Sequence, residues 1–305
     1  MKAPTSETVD RFRRALVIGN PVTVKLAHKE ILRFVTRMTP IDLVNSFKLA
    51  GSISPTKHGI DKAPLTKAVS VECRNRKFEK FNGRDFAVLL SAMAKDNQSS
   101  DLVQSITQKL HPAEMRTTDL CMSLFALTKL GSVSDRLLMS GLEEIGTRTA
   151  QLNRINLTQI LHVFSKNSAQ IRKLGEAESP KIHAVLDGVT GRVSDIASEL
   201  DNSGIAFALY ATAEAFQSTR FPLDSPVRQE FISKLSSEVM RRNDWTERDI
   251  IGVVRALGRM NSLNTELIDL RLIPALESAS LSDEQKKGLK SALETINYPL
   301  PPSLS

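Results

Sequence analysis

The sequence reads Asp119-Leu-Cys-Met-Ser-Leu-Phe-Ala-Leu127 near its middle, and five other stretches repeat this pattern. Their first residues are Asp42, Asp85, Asn156, Gly204 and Asp249. The residue after the start is always large and apolar: Leu43, Phe86, Leu120, Leu157, Ile205 and Ile250. The fifth residue after the start is also apolar: Phe47, Leu90, Leu124, Leu161, Leu209 and Val254. These columns share one face of a helix, so the pattern predicts six helices that bury the same side.

Helix-capping residues precede five of the six stretches by three positions: Thr39, Asn82, Asn153, Asp201 and Thr246. Their side chains can accept hydrogen bonds from the backbone amides of the first turn. The seventh residue after the start is small in most stretches, which favours close packing of helices: Leu49, Ala92, Ala126, Val163, Ala211 and Ala256. Between these helices lie apolar segments with start signals of their own: Ser100, Ser134, Ser179-Pro180 and Ser225-Pro226. Each unit is therefore predicted to be a helical hairpin.

The hairpins recur about every 41 residues, which is typical of a degenerate α-solenoid. We predict an all-α protein, a right-handed α-solenoid of about six degenerate helical hairpins with capping helices at both ends. Residues 1–37 are predicted to form the N-terminal capping helices, 38–279 the hairpin repeats, and 280–305 a capping helix with an extended tail. Residues 52–64, 173–180 and 217–226 are predicted to be surface loops. Residues that tolerate the left-handed conformation are predicted to end helices: Gly51, Asn97, Gly131, Asn167 and Asn261.

The composition of the chain excludes several classes of protein. No apolar run approaches the length of roughly 18 residues that spans a bilayer, so no membrane segment is predicted. The only cysteines are Cys73 and Cys121, which excludes a disulfide scaffold or a four-cysteine zinc site. Lys and Arg number 41 against 34 Asp and Glu, and the net charge of +7 favours an anionic partner.

No pattern for catalysis is present. The chain has neither a Gly-rich phosphate loop nor a Gly-x-Ser-x-Gly elbow. The five histidines are scattered, without a second His or Cys at metal-ligand spacing: His28, His58, His111, His162 and His183. Cys121 lies among packing positions, which favours a buried thiol over a nucleophile. We therefore predict that the protein is not an enzyme and has no catalytic residue, no bound metal and no cofactor.

Two columns lie opposite the buried face when successive residues are rotated by about 100°. The sixth residue after the start changes chemistry from unit to unit: Lys48, Ser91, Phe125, His162, Tyr210 and Arg255. The tenth is cationic in four units: Ser52, Lys95, Lys129, Lys166, Glu214 and Arg259. Such a row could contact phosphates, whereas the alternative is that the cations only complement the helix dipole and stay solvated. The predicted RNA-binding residues are Lys48, Lys95, Lys129, His162, Lys166, Tyr210, Arg255 and Arg259.

Units that end in Ala-Met-Ala-Lys95, Ala-Leu-Thr-Lys129 or Ala-Leu-Gly-Arg259 resemble the degenerate helical-hairpin repeats of organellar RNA metabolism, of the octotricopeptide, heptatricopeptide and FAST-kinase-like kinds. The resemblance covers about residues 39–278. It implies a non-catalytic RNA-binding protein, a subunit of a mitochondrial ribonucleoprotein complex in RNA processing, editing or ribosome assembly. Its partners would be single-stranded or structured RNA and the protein subunits of that complex, with no membrane.

The compartment implied by the resemblance is the organellar matrix, with a presequence that is absent or already removed. Residues 1–37 hold eight Lys and Arg, a weak likeness to a targeting segment, although their periodicity also predicts folded helices. The alternative function is a protein–protein scaffold of the HEAT or armadillo kind, without direct contact to RNA.

Overall fold

The computed structural model describes residues 4–95 and 101–304 of the chain. In these residues every regular element is helical, with seventeen α-helices and no β-strand. The prediction of an all-α protein is thus confirmed. The packing of the helices divides the chain into two compact units, Met1–Leu138 and Met139–Ser305.

The first unit contains eight complete helices within its described residues: α1 Pro4–Ile18, α2 Pro21–Phe34, α3 Pro40–Ala50, α4 Pro55–His58, α5 Ala63–Asn75, α6 Gly83–Lys95, α7 Asp101–Thr107 and α8 Thr117–Lys129. α1 packs on α2 and α3, and α5 packs on α3. α3 packs on α6, which packs in turn on α8. The first helices of successive hairpins therefore contact one another directly. α9, Asp135–Gly146, spans the limit between the two units.

The second unit continues with α10 Arg154–Lys166, α11 Ser168–Asp195, α12 Asn202–Thr219, α13 Pro226–Arg241, α14 Glu247–Arg259, α15 Thr265–Leu267, α16 Ile273–Glu277 and α17 Asp283–Thr295. α12 packs on both α10 and α14, and α14 also packs on α17. α11 contacts α12 and α13. The order of contacts among the first helices is the same as in the first unit, with each one packed on the next.

The five predicted caps of the first helices, Thr39, Asn82, Asn153, Asp201 and Thr246, are confirmed by their hydrogen bonds. Thr39 accepts a bond of 3.3 Å from the backbone amide of Asp42 and donates its hydroxyl to the Asp42 carboxylate at 2.8 Å. Thr246 and Asp249 form the same pair at the start of α14. Arg116, which cannot act as such an acceptor, instead donates to the Asp119 carboxylate at 2.7 Å. The acidic residues that begin the repeats are therefore buried parts of the helix caps.

The buried columns are also confirmed. Every residue of the two large apolar columns is buried, with at most 7% of its surface exposed. In the third column Ala126, Ala211 and Ala256 are at most 1% exposed, whereas Leu49 is half-buried. Small side chains at this position let neighbouring helices approach closely, and burial of the larger columns supplies the hydrophobic stabilisation.

Three hairpins share an arginine contact that the sequence pattern does not predict. The arginine stands in or just after the last turn of the second helix of the hairpin. Its guanidinium donates to the backbone carbonyl of the residue that precedes the cap of the first helix. The pairs are Arg76 with Met38, Arg192 with Leu152, and Arg242 with Leu200. The same contact thus closes hairpins in both units.

The loop predicted over residues 173–180 is wrong. α11 runs without interruption through this segment and is 28 residues long, with Pro180 inside it. A proline removes one backbone donor and disfavours a helix at the preceding residue, which is why the sequence predicts a break there. Ile171 before the segment and Ile182 and Leu186 after it are all buried. Packing on both sides therefore holds the helix through the proline.

Three other connections differ from the prediction. Residues 52–64 include the short helix α4, and α12 extends to Thr219, into the predicted loop 217–226. The tail, predicted to be extended, contains a 3-10 turn at Pro302–Leu304 and buries Leu304. Each of these segments packs against other parts of the chain, which its polar or proline-rich composition does not predict.

The predicted helix ends are confirmed at the four described positions, because helices end one or two residues before Gly51, Gly131, Asn167 and Asn261. Gly131 and Asn261 adopt the left-handed conformation, with φ of 61° and 46°. Gly51 and Asn167 do not, with φ of −65° and −102°. Asn167 stays outside that region because α11 begins at the next residue. The predicted stop Asn97 and start Ser100 lie outside the described residues.

Candidate functional site

The predicted RNA-binding lysines of the first unit end three helices that pack consecutively. Lys95 and Lys129 are the last residues of α6 and α8, and Lys48 lies in the last turn of α3. All three are exposed, and none forms an ion pair with a described residue. The Nζ atom of Lys129 lies 4.8 Å from the centre of the Phe125 ring, a cation–π distance that leaves its charge unneutralised.

In the second unit the same column is not uniformly cationic. Lys166 is exposed at the end of α10 and forms no ion pair with a described residue. Arg259 of α14 lies 3.3 Å from the carboxylate of Glu214 on α12, and Glu214 also accepts a bond of 2.7 Å from Ser165. The Arg259 guanidinium covers the Tyr210 ring at 4.6 Å from its centre. A carboxylate therefore offsets the charge of Arg259.

The sixth-position column is less open than the sequence predicts. Phe125, His162, Tyr210 and Arg255 are all half-buried, and only Lys48 of the predicted binding residues in this column is exposed. Arg259 covers one face of Tyr210, which reduces the ring surface available for stacking. Apart from Lys48, the predicted binding residues of this column therefore expose only part of their side chains.

Several arginines that lie close together in the sequence form ion pairs with carboxylates. Arg13 pairs with Asp10 at 3.0 Å, and Arg11 pairs with Glu30 at 3.1 Å. Burial disfavours the charged form of Glu238, but hydrogen bonds from Arg241 and Arg242 outweigh it and lower the pKa of this carboxyl. Carboxylates therefore offset the charge of these four arginines, whereas Lys48, Lys95, Lys129 and Lys166 form no ion pair with a described residue. The sequence shows part of this difference, because lysines end the first helix in three of the six hairpins.

The structure brings two predicted residues together in a cavity of about 420 Å³. Arg255 and Arg259 line it from α14, and α17 forms the opposite wall. Arg255 forms no hydrogen bond or ion pair with a described residue, and its Nε atom is buried without a partner. This cavity was not predicted, because the sequence columns compare equivalent positions of hairpins and do not show what the last helix contributes.

The burial predicted for Cys121 is confirmed, and the second thiol, that of Cys73, is buried as well. Cys73 and Cys121 are buried, and burial raises the pKa of each thiol to about 12. Both remain protonated near neutral pH and are therefore weak nucleophiles. Among the described residues, no group of three or more His, Cys, Asp or Glu side chains could hold a metal ion. No helix in the described ranges combines the length and apolar character needed to cross a bilayer.

No protein-family model matches the chain, and no curated protein matches its sequence. The resemblance to helical-hairpin repeats of organellar RNA metabolism therefore stays a prediction.

Proposed function

We propose that the protein is a non-catalytic RNA-binding helical-repeat protein. The observation that carries this proposal is the set of exposed lysines Lys48, Lys95 and Lys129, which we call the lysine row. Each member lies in the last turn of its helix, and the three helices α3, α6 and α8 pack consecutively. None of the three is neutralised by a described carboxylate.

A row of this kind suits the backbone of a nucleic acid. Lys48 stands at the sixth position of its unit, whereas Lys95 and Lys129 stand at the tenth. Packed helices lie about 8–10 Å apart, so cations in the last turns of consecutive helices are spaced on that scale. Lysines make sequence-independent contacts to phosphates and release bound counterions when they do so. The sixth-position residues His162 and Tyr210 would add limited stacking or hydrogen bonds to bases, because each is only half-buried.

The finer architecture that accompanies this function is a right-handed solenoid of about six hairpins. This architecture is supported by helix caps at equivalent positions of several hairpins. It is also supported by the bonds from an arginine of the second helix to the backbone before the first helix. The resemblance of the units supports a place in a mitochondrial ribonucleoprotein complex that acts in RNA processing, editing or ribosome assembly. In such a complex the protein would contact both RNA and protein subunits.

A protein scaffold without RNA contact is the second candidate, and one observation favours it. Val17, Ile18, Val22 and Leu26 are 64–82% exposed at the end of α1 and the beginning of α2. Neighbouring exposed apolar residues of this size are typical of protein–protein contact surfaces. They lie on helices different from those that carry the lysine row, so one molecule could use both surfaces.

Affinity purification of the full chain from native lysate, with and without RNase, tests the proposal. We expect RNA to copurify and a set of protein partners to be lost after RNase treatment. Recovery of the same proteins in both samples, without crosslinkable RNA, would favour the scaffold. A K48Q/K95Q/K129Q variant provides the internal test, since it should lose RNA but keep partners that bind the apolar surface of α1 and α2.

A further inference from the structure

The cavity beside Arg255 lies next to a close contact between α14 and α17. A Cβ atom on Gly258 would lie 2.7 Å from the Cβ of Ala292, so only glycine allows this contact. The cavity opens next to this point and has a volume of about 420 Å³. Gln217 at the end of α12 completes its wall.

Arg255 lies in this cavity against the backbone of α17. A Cβ atom on Gly288 would come within 2.4 Å of the Arg255 Nη2 atom and 3.0 Å of its Cζ atom. The absence of a side chain at Gly288 thus leaves room for the guanidinium. The Nε atom of Arg255 is buried without a hydrogen-bond partner, although buried donors are normally paired.

Three other polar side chains of the cavity are also unpaired donors, whereas the Arg259 guanidinium is paired with Glu214. Gln217, Asn261 and Ser291 form no side-chain hydrogen bond with a described residue, whereas the Thr295 hydroxyl already donates to the Ser291 carbonyl at 2.8 Å. No Asp or Glu is among the described residues that line the cavity. The cavity therefore offers one unneutralised guanidinium and several neutral donors to a ligand.

This set of donors suits a phosphate better than a carboxylate. Guanidinium groups bind both anions through paired N–H donors. A carboxylate has two acceptor oxygens, however, whereas a terminal phosphate has three and can use the additional donors. The volume is in the range of about 300–1,000 Å³ that is typical of small-molecule sites, which exceeds the need of a phosphate ion alone.

We propose that this cavity binds the phosphate group of a nucleotide, with Arg255 as the charged partner and Gln217, Asn261 and Ser291 as neutral donors. The nucleotide can be free or part of an RNA strand. For a nucleotide within an RNA strand, the inference rests on the proposed RNA-binding function. For a free nucleotide, the inference does not depend on that function.

Isothermal titration calorimetry on the full chain with adenosine monophosphate tests the site. Arg255→Gln should weaken binding by at least about tenfold, because a hydrogen-bonded charge is lost. Arg248→Gln removes a charge from the same helix at an exposed position outside the cavity and should change affinity by less than about twofold. Gly288→Ala should weaken binding as well, because its methyl group would occupy the place of the guanidinium. Circular dichroism confirms that each variant is folded.

The result that overturns the proposal is the absence of binding to the wild-type chain at millimolar nucleotide, or equal affinity in the wild-type chain and Arg255→Gln. Equal binding of succinate and nucleotide would overturn the assignment to phosphate. A parallel titration with a single-stranded RNA of about 12 nucleotides separates the two proposals. RNA binding without Arg255-dependent nucleotide binding leaves only the RNA function, and the reverse result leaves only the nucleotide site.

Discussion

The guanidinium of Arg259 lies 3.3 Å from the carboxylate of Glu214, across the contact between α12 and α14. The sequence places Arg259 in a row with Lys95, Lys129 and Lys166, as though all four were equivalent. The ion pair distinguishes Arg259 from the three lysines. Glu214 occupies the matching position of its own repeat and holds a negative charge where an RNA backbone would pass.

Glu214→Gln should therefore increase affinity for single-stranded RNA. The change removes a charge that repels phosphates and frees Arg259 to make one more contact, so the dependence of log K on log salt should become steeper by about 0.7. Fluorescence anisotropy with a labelled RNA measures both quantities. Glu230→Gln, which breaks an exposed ion pair with Lys234 on α13, is the matched control and should have little effect. Unchanged or weaker binding by Glu214→Gln would mean that RNA does not approach Arg259.

The sequence predicts the helix starts and the buried face well because both depend on local rules. Thr39 and Thr246 cap helices through bonds that span only three residues, and Leu124 and Leu161 follow the period of a single helix. Contacts between distant segments are not visible in this way. The bond from Arg192 to Leu152 joins residues 40 positions apart, and no local pattern identifies it.

The candidate site was predicted only in part for the same reason. The helical period correctly places the lysine row on the exposed side of its helices. It does not show that Glu214 neutralises Arg259, or that Gly288 of α17 makes room for Arg255. Both facts depend on which helices pack together. The continuous helix across Pro180 is a further example in which packing overrides a local signal.

Arg76→Ala should lower the free energy of unfolding by about 1.5–3 kcal/mol, the range for hydrogen bonds to a charged group. Its guanidinium donates to the Met38 carbonyl at 2.5 Å and to the Thr36 carbonyl at 2.9 Å, and its Nε donates to Glu72 at 2.6 Å. Urea unfolding followed by circular dichroism measures the change. Arg74→Ala on the same helix breaks only an exposed pair 3.8 Å from Asp101 and should cost less than about 1 kcal/mol. An equal loss of unfolding free energy in the two variants would show that the contacts of Arg76 do not stabilise the hairpin.

Leu124→Ala and Leu161→Ala should each cost about 2–5 kcal/mol, because each leaves a cavity in the core of its hairpin. The two side chains are 0% and 2% exposed. Chemical denaturation of the two variants tests the assigned register of the repeats. Ile155→Ala, at a position that is 67% exposed, is the control and should change stability only slightly. If Leu124→Ala were as stable as the parent, the register would be wrong.

Acid should destabilise the protein through His28. Burial lowers the pKa of His28 below its ordinary value of 6.5, although the nearby Asp61 partly opposes this shift. In the unfolded chain His28 takes up a proton at a higher pH than in the folded chain, so stability falls as the pH drops from 6.5 towards the folded pKa. Unfolding curves at about pH 5 and about pH 8 measure the loss. It should be smaller in His28→Leu and unchanged in His111→Gln, which alters an exposed histidine. An identical loss in His28→Leu would assign the acid sensitivity to other groups.

The salt dependence of RNA binding tests the central claim most directly. For the full wild-type chain, anisotropy with a labelled single-stranded RNA should give micromolar or tighter binding at low salt that weakens steeply as salt is added. The K48Q/K95Q/K129Q variant should bind more weakly, with a slope of log K against log salt that is shallower by about two units, since each phosphate contact on a single strand contributes about 0.7. K25Q/K29Q/K67Q removes the same charge from exposed positions of α2 and α5 and should keep the wild-type slope. No binding by the wild-type chain at low salt, or equal slopes in the two triple variants, would contradict the account.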